Sequence, residues 1–292
     1  MGQDTPPVTI LRAGCKINLF LLISGRRDDG YHLLDSLFLP LPTPFDTITI
    51  TPKDESGLDF ACNDSALAGS DNIMAKACAV FAKATGFHPG LAVFLDKKIP
   101  YGAGLGGGSS DAAALLLYLN REARRENKDL TDKALAELAA GLGADVPFFL
   151  LNRPARVSGI GEIIHPCANP LRGLHLVLVA PPIPVASAWA YKAYDEKNSN
   201  KHTRSVLTNR VMGDSTPLVR GISVKNDLAP VVFARHPELR KIVASLYAFN
   251  AAAAAMSGSG SSIFGLYEKE PDARDAFSFF LDAGERVFYY PL

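Results

Sequence analysis

A glycine-rich stretch at residues 100–114, PYGAGLGGGSSDAAA, is the part of this sequence best suited to bind a charged ligand. It lies between a strand-like apolar run, Leu91 to Leu95, which two lysines follow, and a helix-like run rich in alanine and leucine, Ala112 to Leu119. Residues without a Cβ let backbone N–H groups approach a ligand, and the first N–H groups of a helix have no partner inside the helix. The stretch therefore predicts a turn that binds an anion, and a phosphate group is the first candidate.

Two known phosphate-binding motifs resemble this turn but fit it poorly. Gly102, Gly104 and Gly107 have the spacing of the dinucleotide fingerprint, which also needs a second strand ending in an acidic residue about 20 positions later. Residues 121–128 are instead a charged run. The P-loop needs a lysine directly after its glycines, and none follows here. A flexible linker is also disfavoured, because linkers rarely fit tightly between a strand and a helix.

Further polar residues stand beside apolar runs or turns, where they could act on a ligand. Lys16 opens the apolar run INLFLLI, and Asp145 follows a glycine in GADVPFF. Taken alone, Lys16 is typical of a solvated strand end and Asp145 of a turn or helix cap. Tyr31 and His32 follow a turn bounded by glycines, and the pair is equally consistent with packing and with ligand recognition.

The elements that must position these residues alternate between strands and helices. Strands are predicted at residues 8–11, 17–23, 47–51, 174–180 and 263–267, with a bend at Ala13-Gly14 and a further strand-like run after Asp145. Helices are predicted at residues 71–84, with Asp71 or Asn72 as the cap and Gly86 as the stop, from a cap at Thr131 to the glycines at 141–143, and at 237–249. A second glycine–serine turn is predicted within residues 251–262, and the polar residues 195–217 are predicted to form a mobile loop.

The composition limits the class of protein and of partner. A chain of 292 residues, 48% of them hydrophobic, can bury the cores of two modest domains. Lysines plus arginines equal aspartates plus glutamates at 30 each, so no bulk charge recruits nucleic acid or an anionic membrane. The four cysteines form no CxxC pair, which favours a reducing compartment over a disulfide framework or metal site. With no signal-like run and no apolar stretch of about 20 residues, we expect a soluble, cytoplasmic protein.

Several stretches of the chain, taken together, resemble the GHMP kinase superfamily, named for galactokinase, homoserine kinase, mevalonate kinase and phosphomevalonate kinase. They are GCKINLFLLISGRRDDGYHLLDSLF (14–38), IPYGAGLGGGSSDAAALL (99–116), LGADVPFFL (142–150), GIGE (159–162) and MSGSGSSIFG (256–265). The resemblance implies an ATP-dependent kinase with an α+β fold in two domains. Residues 1–160 would form an N-terminal domain related to the second domain of ribosomal protein S5, with the ATP-binding glycine loop. Residues 161–292 would form a ferredoxin-like C-terminal domain.

The resemblance assigns roles to residues that are ambiguous alone. Lys16 and Asp145 match the catalytic pair of the superfamily. Asp145 is expected to accept the proton of the substrate hydroxyl, and Lys16 to position that hydroxyl and the carboxylate. ATP and Mg²⁺ are the implied cofactors, with the metal near Ser109 or Ser110. The residues expected to contact ATP are Pro100, Tyr101, Gly102, Ala103, Gly104, Leu105, Gly106, Gly107, Gly108, Ser109 and Ser110.

The stretch at 14–38 is specific to one member of the superfamily, whose small-alcohol substrate carries cytidine diphosphate and belongs to the non-mevalonate route to isoprenoid and terpenoid precursors. Tyr31 is then expected to stack on one face of the cytosine, with Tyr191 or the neighbouring Trp189 on the other. His32 is expected to read the polar edge of the base. The full set of expected substrate contacts is Asn18, Tyr31, His32, Ser187 and Tyr191.

Two other interpretations stay open at this point. Another small-alcohol kinase of the superfamily, of homoserine or mevalonate type, would keep the glycine loop but would not explain GRRDDGYH at residues 25–32. A non-catalytic member that binds a metabolite would be expected to lack Lys16 or Asp145, and both are present. No nucleic-acid or membrane partner is expected, and the protein is expected to be a monomer or a weak homodimer.

Overall fold

The computed structural model of the protein describes residues 7–69, 71–198 and 217–292. By its internal packing the chain divides into two compact units. Unit 1 contains the residues up to Cys15, Pro40–Ile99 and Gly106–Arg153. Unit 2 contains Lys16–Leu39, Pro100–Leu105 and the residues from Pro154 onward. The units are therefore interleaved along the chain, and the domain boundary expected near residue 160 stays a prediction.

Unit 1 combines antiparallel and parallel strands with helices. Its strands are the first part of β1 (Thr9–Arg26), the second part of β2 (His32–Pro52), β3 (Gly57–Cys62) and β4 (Gly90–Asp96). Its helices are α1 (Ile73–Thr85), α2 (Gly107–Ala123), α3 (Asp132–Ala140) and α4 (Val146–Leu151), with 3-10 turns at Ser65–Leu67 and Arg124–Glu126. Strand β4 pairs antiparallel with residues 47–52 of β2 and parallel with β3.

Alternating side chains bury one face of the paired strands β2 and β4. Ile48 and Ile50 of β2 are fully buried, as are Leu91, Val93 and Leu95 of β4, while the residues between them are more exposed. Burying each such side chain stabilises the unit by about 1.5–3 kcal/mol. Helices α1 and α4 both pack against α2. Helix α2 is thereby held against the rest of unit 1.

The predicted helix signals at Asn72 and Thr131 are confirmed. The Asn72 side chain accepts a hydrogen bond from the Met74 N–H (2.8 Å), and α1 ends at Gly86, whose φ of 67° is left-handed. The Thr131 hydroxyl accepts from the Ala134 N–H (3.3 Å) at the start of α3. Local capping chemistry therefore defined both helices correctly.

The bend predicted at Ala13-Gly14 is wrong, because β1 runs through both residues without interruption. A Cβ at Gly14 would lie 2.5 Å from the Leu41 carbonyl oxygen on β2. The glycine is therefore required by the close approach of the neighbouring strand and does not mark a turn.

Unit 2 is built around a four-stranded antiparallel sheet, whose strands are β7 (His175–Val179), β10 (Ala253–Met256), β11 (Ile263–Tyr267) and β12 (Val287–Pro291). Their order in the sheet is β10-β11-β7-β12. The helices of the unit are α5 (Ser187–Asn198), α6 (Ala229–Arg235), α7 (Glu238–Ala248) and α8 (Glu270–Asp282). All of β11 is buried, with α7 packed against it and α8 against β7 and β12. The strands predicted at 174–180 and 263–267 and the helix at 237–249 are confirmed.

Further strand pairs complete unit 2. The first part of β2 pairs with β5 (Ala155–Gly159), and β5 pairs with β6 (Ile163–Pro166). Strands β8 (Leu218–Val219) and β9 (Ile222–Ser223) form a short antiparallel pair. The helix and strand content confirms the expected α+β class. Within the described ranges, no helix is both long enough and apolar enough to cross a membrane.

The loop predicted at residues 195–217 begins too early. Residues 195–198 form the last turn of α5, where the Asn198 side chain donates to the Tyr194 carbonyl (2.8 Å) and stabilises the helix end. Polar composition was therefore a poor guide to the end of this helix, because a solvated last turn is also polar. Residues 199–216 of the predicted loop lie outside the described residues.

Candidate functional site

The first part of the glycine loop, Pro100–Leu105, packs against the second glycine–serine turn inside unit 2. Gly104 has a φ of 74°, a value that favours glycine. Its carbonyl accepts a hydrogen bond from the Ser257 hydroxyl (3.0 Å), and the Ala103 carbonyl accepts from the Ser262 N–H (3.1 Å). A Cβ at Gly104 would overlap with the backbone oxygen of Ser257. In this part of the loop, glycine is therefore required for the close packing of two backbones.

The second part of the loop opens helix α2 in unit 1. Gly106 has a left-handed φ of 71°, and α2 begins at Gly107, earlier than the predicted run at Ala112. Ser109 and Ser110 therefore lie in the first helical turn, and the Ser110 N–H already donates to the Gly106 carbonyl (3.0 Å). The N–H groups that precede it have no carbonyl within the helix to bond. This helix start has the geometry and the dipole to hold a phosphate.

Gly107 and Gly108 are adjacent but have different surroundings. A Cβ at Gly107 would lie 2.8 Å from a methyl carbon of Ile99 and 3.0 Å from the Lys97 ammonium nitrogen. A Cβ at exposed Gly108 would find its nearest neighbour, a methyl of Ile73, 3.8 Å away. Gly107 is therefore enclosed by protein, and Gly108 faces open space where a ligand could approach.

A buried charge cluster supports this helix start from within unit 1. The Lys97 ammonium binds the carboxylates of Asp46 and Asp111, the latter at 2.6 Å, and both carboxylates are almost fully buried. Asp46 also accepts hydrogen bonds from the backbone N–H groups of Lys98 and Ile99 (2.7 Å for Ile99). Burial raises the pKa of Asp111 to about 7, against the attraction of Lys97. The cluster ties the segment after β4 to α2.

Lys16 lies in the middle of β1 and is buried, so its interpretation as a solvated strand end is wrong. Only 4% of the residue is exposed. Its ammonium donates to the Asn18 side-chain oxygen (2.6 Å) and lies 4.4 Å from the centroid of the Phe38 ring. Its backbone N–H donates to the Leu105 carbonyl (2.9 Å). Within unit 2, Lys16 is thus held beside the first part of the glycine loop.

Asn18 is oriented at both ends of its amide. Its oxygen faces Lys16, and its side-chain nitrogen donates to the hydroxyl of Ser36 (2.9 Å), which donates in turn to the Phe20 carbonyl. The Asn18 backbone N–H donates to the Ser257 hydroxyl (3.2 Å). Asn18 and Ser36 are both buried. The amide is therefore fixed with its oxygen toward the lysine.

Asp145 lies at the start of helix α4, in unit 1. The strand predicted after Asp145 is wrong, because this run forms helix α4. Pro147 is compatible with the helix, since it lies in the first turn, where its missing N–H carries no cost. Asp145 lies in a turn and at the N-cap position of this helix, as predicted, although its side chain makes no capping hydrogen bond to the helix. A Cβ at Gly143 would lie 3.9 Å from the Ser109 hydroxyl oxygen. The segment that carries Asp145 therefore lies against the first turn of α2.

The residues expected to recognise the base lie in unit 2. Tyr31 is 60% exposed, so its ring is accessible to a ligand. The ring of His32 stacks on Tyr191, with 4.9 Å between centroids and 20° between planes. The hydroxyl of Ser187, at the start of α5, lies 2.8 Å from the hydroxyl of Ser259 in the second glycine–serine turn. The structure therefore brings His32 and Tyr191 together, and Ser187 beside that turn.

Trp189, the alternative stacking residue, faces a different neighbour. Its ring lies edge-on to His236 (6.5 Å between centroids), and the guanidinium of Arg235 lies 5.1 Å from its centroid. Two positions along a helix correspond to opposite sides, so Trp189 and Tyr191 cannot both face His32. Of the two candidates, Tyr191 is the one whose ring contacts His32.

A carboxylate oxygen of Asp195 lies 2.7 Å from Nε2 of His32. Several residues of these clusters were not identified from the sequence: Ser36, Asp46, Lys97, Asp111 and Asp195. Each is an ordinary polar residue whose partner lies far away in the chain, so no local spacing marks it. Asp111 lies inside the glycine motif, but an acidic residue near the start of a helix is favoured by the helix dipole and does not by itself indicate a buried partner. Within the described part of the chain, no group of three or more His, Cys, Asp or Glu could hold a metal ion.

Comparisons with known proteins extend over both units. The family model for the GHMP kinases N terminal domain matches residues 72–153, and that for the GHMP kinases C terminal matches residues 209–286. The chain is 45% identical over 283 residues to the 4-diphosphocytidyl-2-C-methyl-D-erythritol kinase of Nitratidesulfovibrio vulgaris, covering 97% of this chain and 98% of that one. It is 43% identical to the enzyme of the same name from Solidesulfovibrio magneticus, covering 97% of each chain.

Solved structures agree. A crystal structure of 4-(cytidine 5'-diphospho)-2C-methyl-D-erythritol kinase matches with a TM-score of 0.75 and 34% identity, covering 96% of this chain and 98% of that one. A homoserine kinase from Cytophaga hutchinsonii matches with a TM-score of 0.69 but 17% identity, covering 99% of this chain and 96% of that one. The second likeness concerns the fold alone.

Proposed function

This chain belongs to the 4-diphosphocytidyl-2-C-methyl-D-erythritol kinases of the GHMP kinase family, and from that premise we propose the reaction it catalyses. The chain transfers the γ-phosphoryl group of ATP to the 2-hydroxyl of 4-diphosphocytidyl-2-C-methyl-D-erythritol. The observation that carries this proposal is 45% identity to a kinase of that name over 97% of the chain. The homoserine and mevalonate alternatives lose their basis, because the solved kinases of those types are 14–17% identical.

The transfer needs a base and an aligned hydroxyl. The 2-hydroxyl oxygen attacks the γ-phosphorus, the bond from that phosphorus to the oxygen bridging it to the β-phosphate breaks, and ADP leaves. The Asp145 carboxylate takes the proton of the hydroxyl. The position of its segment against the first turn of α2 supports this role, because that turn is where the phosphates would lie.

Lys16 orients the hydroxyl and offsets negative charge during transfer. Its ammonium is buried and aimed by the Asn18 oxygen, which supports a fixed role over that of a surface charge. Because the long Lys16 side chain is already held in one conformation, it loses little conformational entropy when the substrate binds. In this proposal, Asn18 acts on the substrate through Lys16 as well as by contact.

The ATP phosphates bind the N–H groups at the start of α2, next to Gly108. A hydroxyl oxygen is a ligand type that Mg²⁺ accepts. The half-buried hydroxyl of Ser109 fits this role better than that of Ser110, because the more buried Ser110 is less accessible to the ion. Bound with ATP, Mg²⁺ would offset the charge of the phosphate oxygens.

The cytidine end is recognised by the cluster around His32. Exposed Tyr31 and the ring of Tyr191 supply the aromatic surfaces, His32 supplies hydrogen bonding to the base, and Ser187 contributes a hydroxyl. Action in the cytoplasm, the monomer or weak homodimer, and the lack of nucleic-acid or membrane partners remain predictions, as does the boundary at residue 160 between the two domains.

The test compares Asp145→Asn with Asp132→Asn, which makes the same change at an exposed position in the first turn of α3. ADP formation is measured with 4-diphosphocytidyl-2-C-methyl-D-erythritol, with homoserine and mevalonate as alternative acceptors. Turnover of the full substrate should fall by about 10²–10⁴ in Asp145→Asn, while ATP binding and the activity of Asp132→Asn persist. If folded Asp145→Asn keeps more than about a tenth of wild-type turnover, Asp145 is not the base.

A further inference from the structure

Asp195 contacts His32, and the proposed function assigns it no role. Helix α5 presents Tyr191, Tyr194 and Asp195 on one face, at the spacing that brings helical side chains together. All three contact His32: Tyr191 by stacking, Tyr194 with its ring edge-on at 6.3 Å between centroids, and Asp195 through a carboxylate oxygen 2.7 Å from Nε2. His32 therefore has its ring and one of its nitrogens fixed by a single helix.

The second oxygen of Asp195 is also engaged. It lies 3.2 Å from a guanidinium nitrogen of Arg26, at the end of β1. The His32 side chain is 10% exposed and that of Asp195 31% exposed. The carboxylate is thus held between an arginine and a histidine, in an orientation that neither contact alone would fix.

The contact determines where the imidazole carries its proton. An ionised carboxylate accepts hydrogen bonds and donates none, so the hydrogen between Asp195 and Nε2 belongs to His32. In a neutral imidazole with its hydrogen on Nε2, the other nitrogen, Nδ1, has a lone pair and accepts. The same logic governs the aspartate of a serine-protease triad, which holds the histidine in one tautomer.

We propose that Asp195 makes Nδ1 of His32 a hydrogen-bond acceptor and thereby selects cytosine over uracil. The inference rests on the proposed function, in which His32 faces the polar edge of the base. Cytosine carries an amino donor at position 4, whereas uracil carries an oxygen acceptor there, as thymine does. A lone pair on Nδ1 accepts from the amino group and repels the oxygen. Asp195 is a positioning residue, because it acts on the base through His32.

The experiment is calorimetric titration of the whole protein with CMP and with UMP at pH 8. Wild type should bind CMP about 5- to 150-fold more tightly than UMP, which corresponds to 1–3 kcal/mol of base discrimination. Asp195→Asn keeps the shape but can either accept from Nε2 or donate to it, so both tautomers of His32 become available. The ratio of CMP to UMP affinity of Asp195→Asn should fall to within about threefold of one, because the variant binds UMP more tightly and CMP more weakly than wild type does.

The matched control is Glu196→Gln, the same change at the next position of α5, where the side chain is 68% exposed. Its ratio of CMP to UMP affinity should equal that of wild type. If Asp195→Asn keeps the wild-type ratio, the inference is wrong and the proposed function stands. If wild type binds neither nucleotide, the cytidine site of the proposed function fails, and the inference with it.

A second measurement does not require Asp195→Asn to fold. Two-bond ¹H–¹⁵N correlation spectra report the tautomer of each histidine, with the His32 signals assigned by their loss in His32→Gln. Wild type should show the hydrogen of His32 on Nε2 and an unprotonated Nδ1. A hydrogen on Nδ1 alone would overturn the inference, whatever the binding ratios.

Discussion

The two parts of the glycine loop use the same residue type for different purposes. Pro100–Leu105 is an internal part of unit 2, where Gly104 lies so close to Ser257 that no side chain fits. From Gly106 onward the loop is the start of a helix in unit 1, where Gly107 packs against Ile99 and exposed Gly108 has space above it. A glycine-rich motif is therefore not uniformly a ligand site. Glycines that close packing requires, Gly104 and Gly107, and a glycine with open space beside it, Gly108, lie within five positions of sequence.

The largest expected effect is at Gly104. Gly104→Ala should lower the free energy of unfolding by more than about 4 kcal/mol or prevent folding, because the new Cβ would overlap with backbone that cannot move aside. Gly284→Ala is the matched control, since Gly284 has a similar φ of 77° and nothing within 4 Å of its Cβ position. It should cost about 1–2 kcal/mol, the strain of the left-handed conformation alone. Equal losses in urea denaturation would refute the packing role of Gly104.

The next effect concerns the charge cluster beneath the second part of the loop. Lys97→Met should lower the free energy of unfolding by about 3 kcal/mol, because the buried carboxylates of Asp46 and Asp111 lose their common cation. Lys98→Met, at a side chain 61% exposed, should change it by less than about 0.5 kcal/mol. Urea denaturation at pH 8 measures both. A Lys97→Met protein as stable as Lys98→Met would mean that the cluster does not support the helix start.

Gly108 should affect the ligand and not the fold. Gly108→Ala leaves the free energy of unfolding unchanged or slightly raised, because alanine favours a helix and meets no close neighbour. Its Cβ should weaken binding of a non-hydrolysable ATP analogue by about 5- to 30-fold, the loss of one or two hydrogen bonds to phosphate. Gly107→Ala should show the opposite pattern, with lower stability as the first consequence. If Gly108→Ala binds the nucleotide analogue as tightly as wild type, the phosphates do not bind at this turn.

The smallest effects separate two serines of the second glycine–serine turn. Ser257→Ala removes the hydroxyl that donates to Gly104 and accepts from Asn18, and should cost about 1–2 kcal/mol. The Ser262 hydroxyl is buried without a hydrogen-bond partner in the described structure. Ser262→Ala should therefore be neutral or stabilising by up to about 1 kcal/mol. Thermal unfolding of the two variants side by side decides whether the contact with Gly104 stabilises the first part of the loop.

Local chemistry allowed much of the fold to be predicted from the sequence. Caps at Asn72 and Thr131 defined two helices, and apolar runs identified the strands of the unit 2 sheet. The helix after Asp145 was predicted as a strand, because six apolar residues carry no period long enough to distinguish the two. Its proline at the start of the run was the overlooked signal.

The candidate site was predictable where a motif carries it and not where distant contacts do. Lys16 looked like a solvated strand end, because burial of a lysine depends on the strands around it and not on its neighbours in sequence. The contact of His32 with Asp195 spans 163 positions, and that of Lys97 with Asp46 spans 51. Only the folded chain brings such pairs together. Family resemblance named the residues of the motifs and left these partners unnamed.

The interleaving of the units limits how this protein could be divided at the level of its gene. The segment that matches the N-terminal family model, residues 72–153, contains β4 but neither of the strands that pair with it, β2 and β3. Expressed alone, it would expose both edges of β4, and exposed edges favour aggregation. Duplication, fusion or exchange of that segment would therefore carry the glycine loop into a new protein without the sheet that supports it. Recombination can preserve this kinase only by moving its units together.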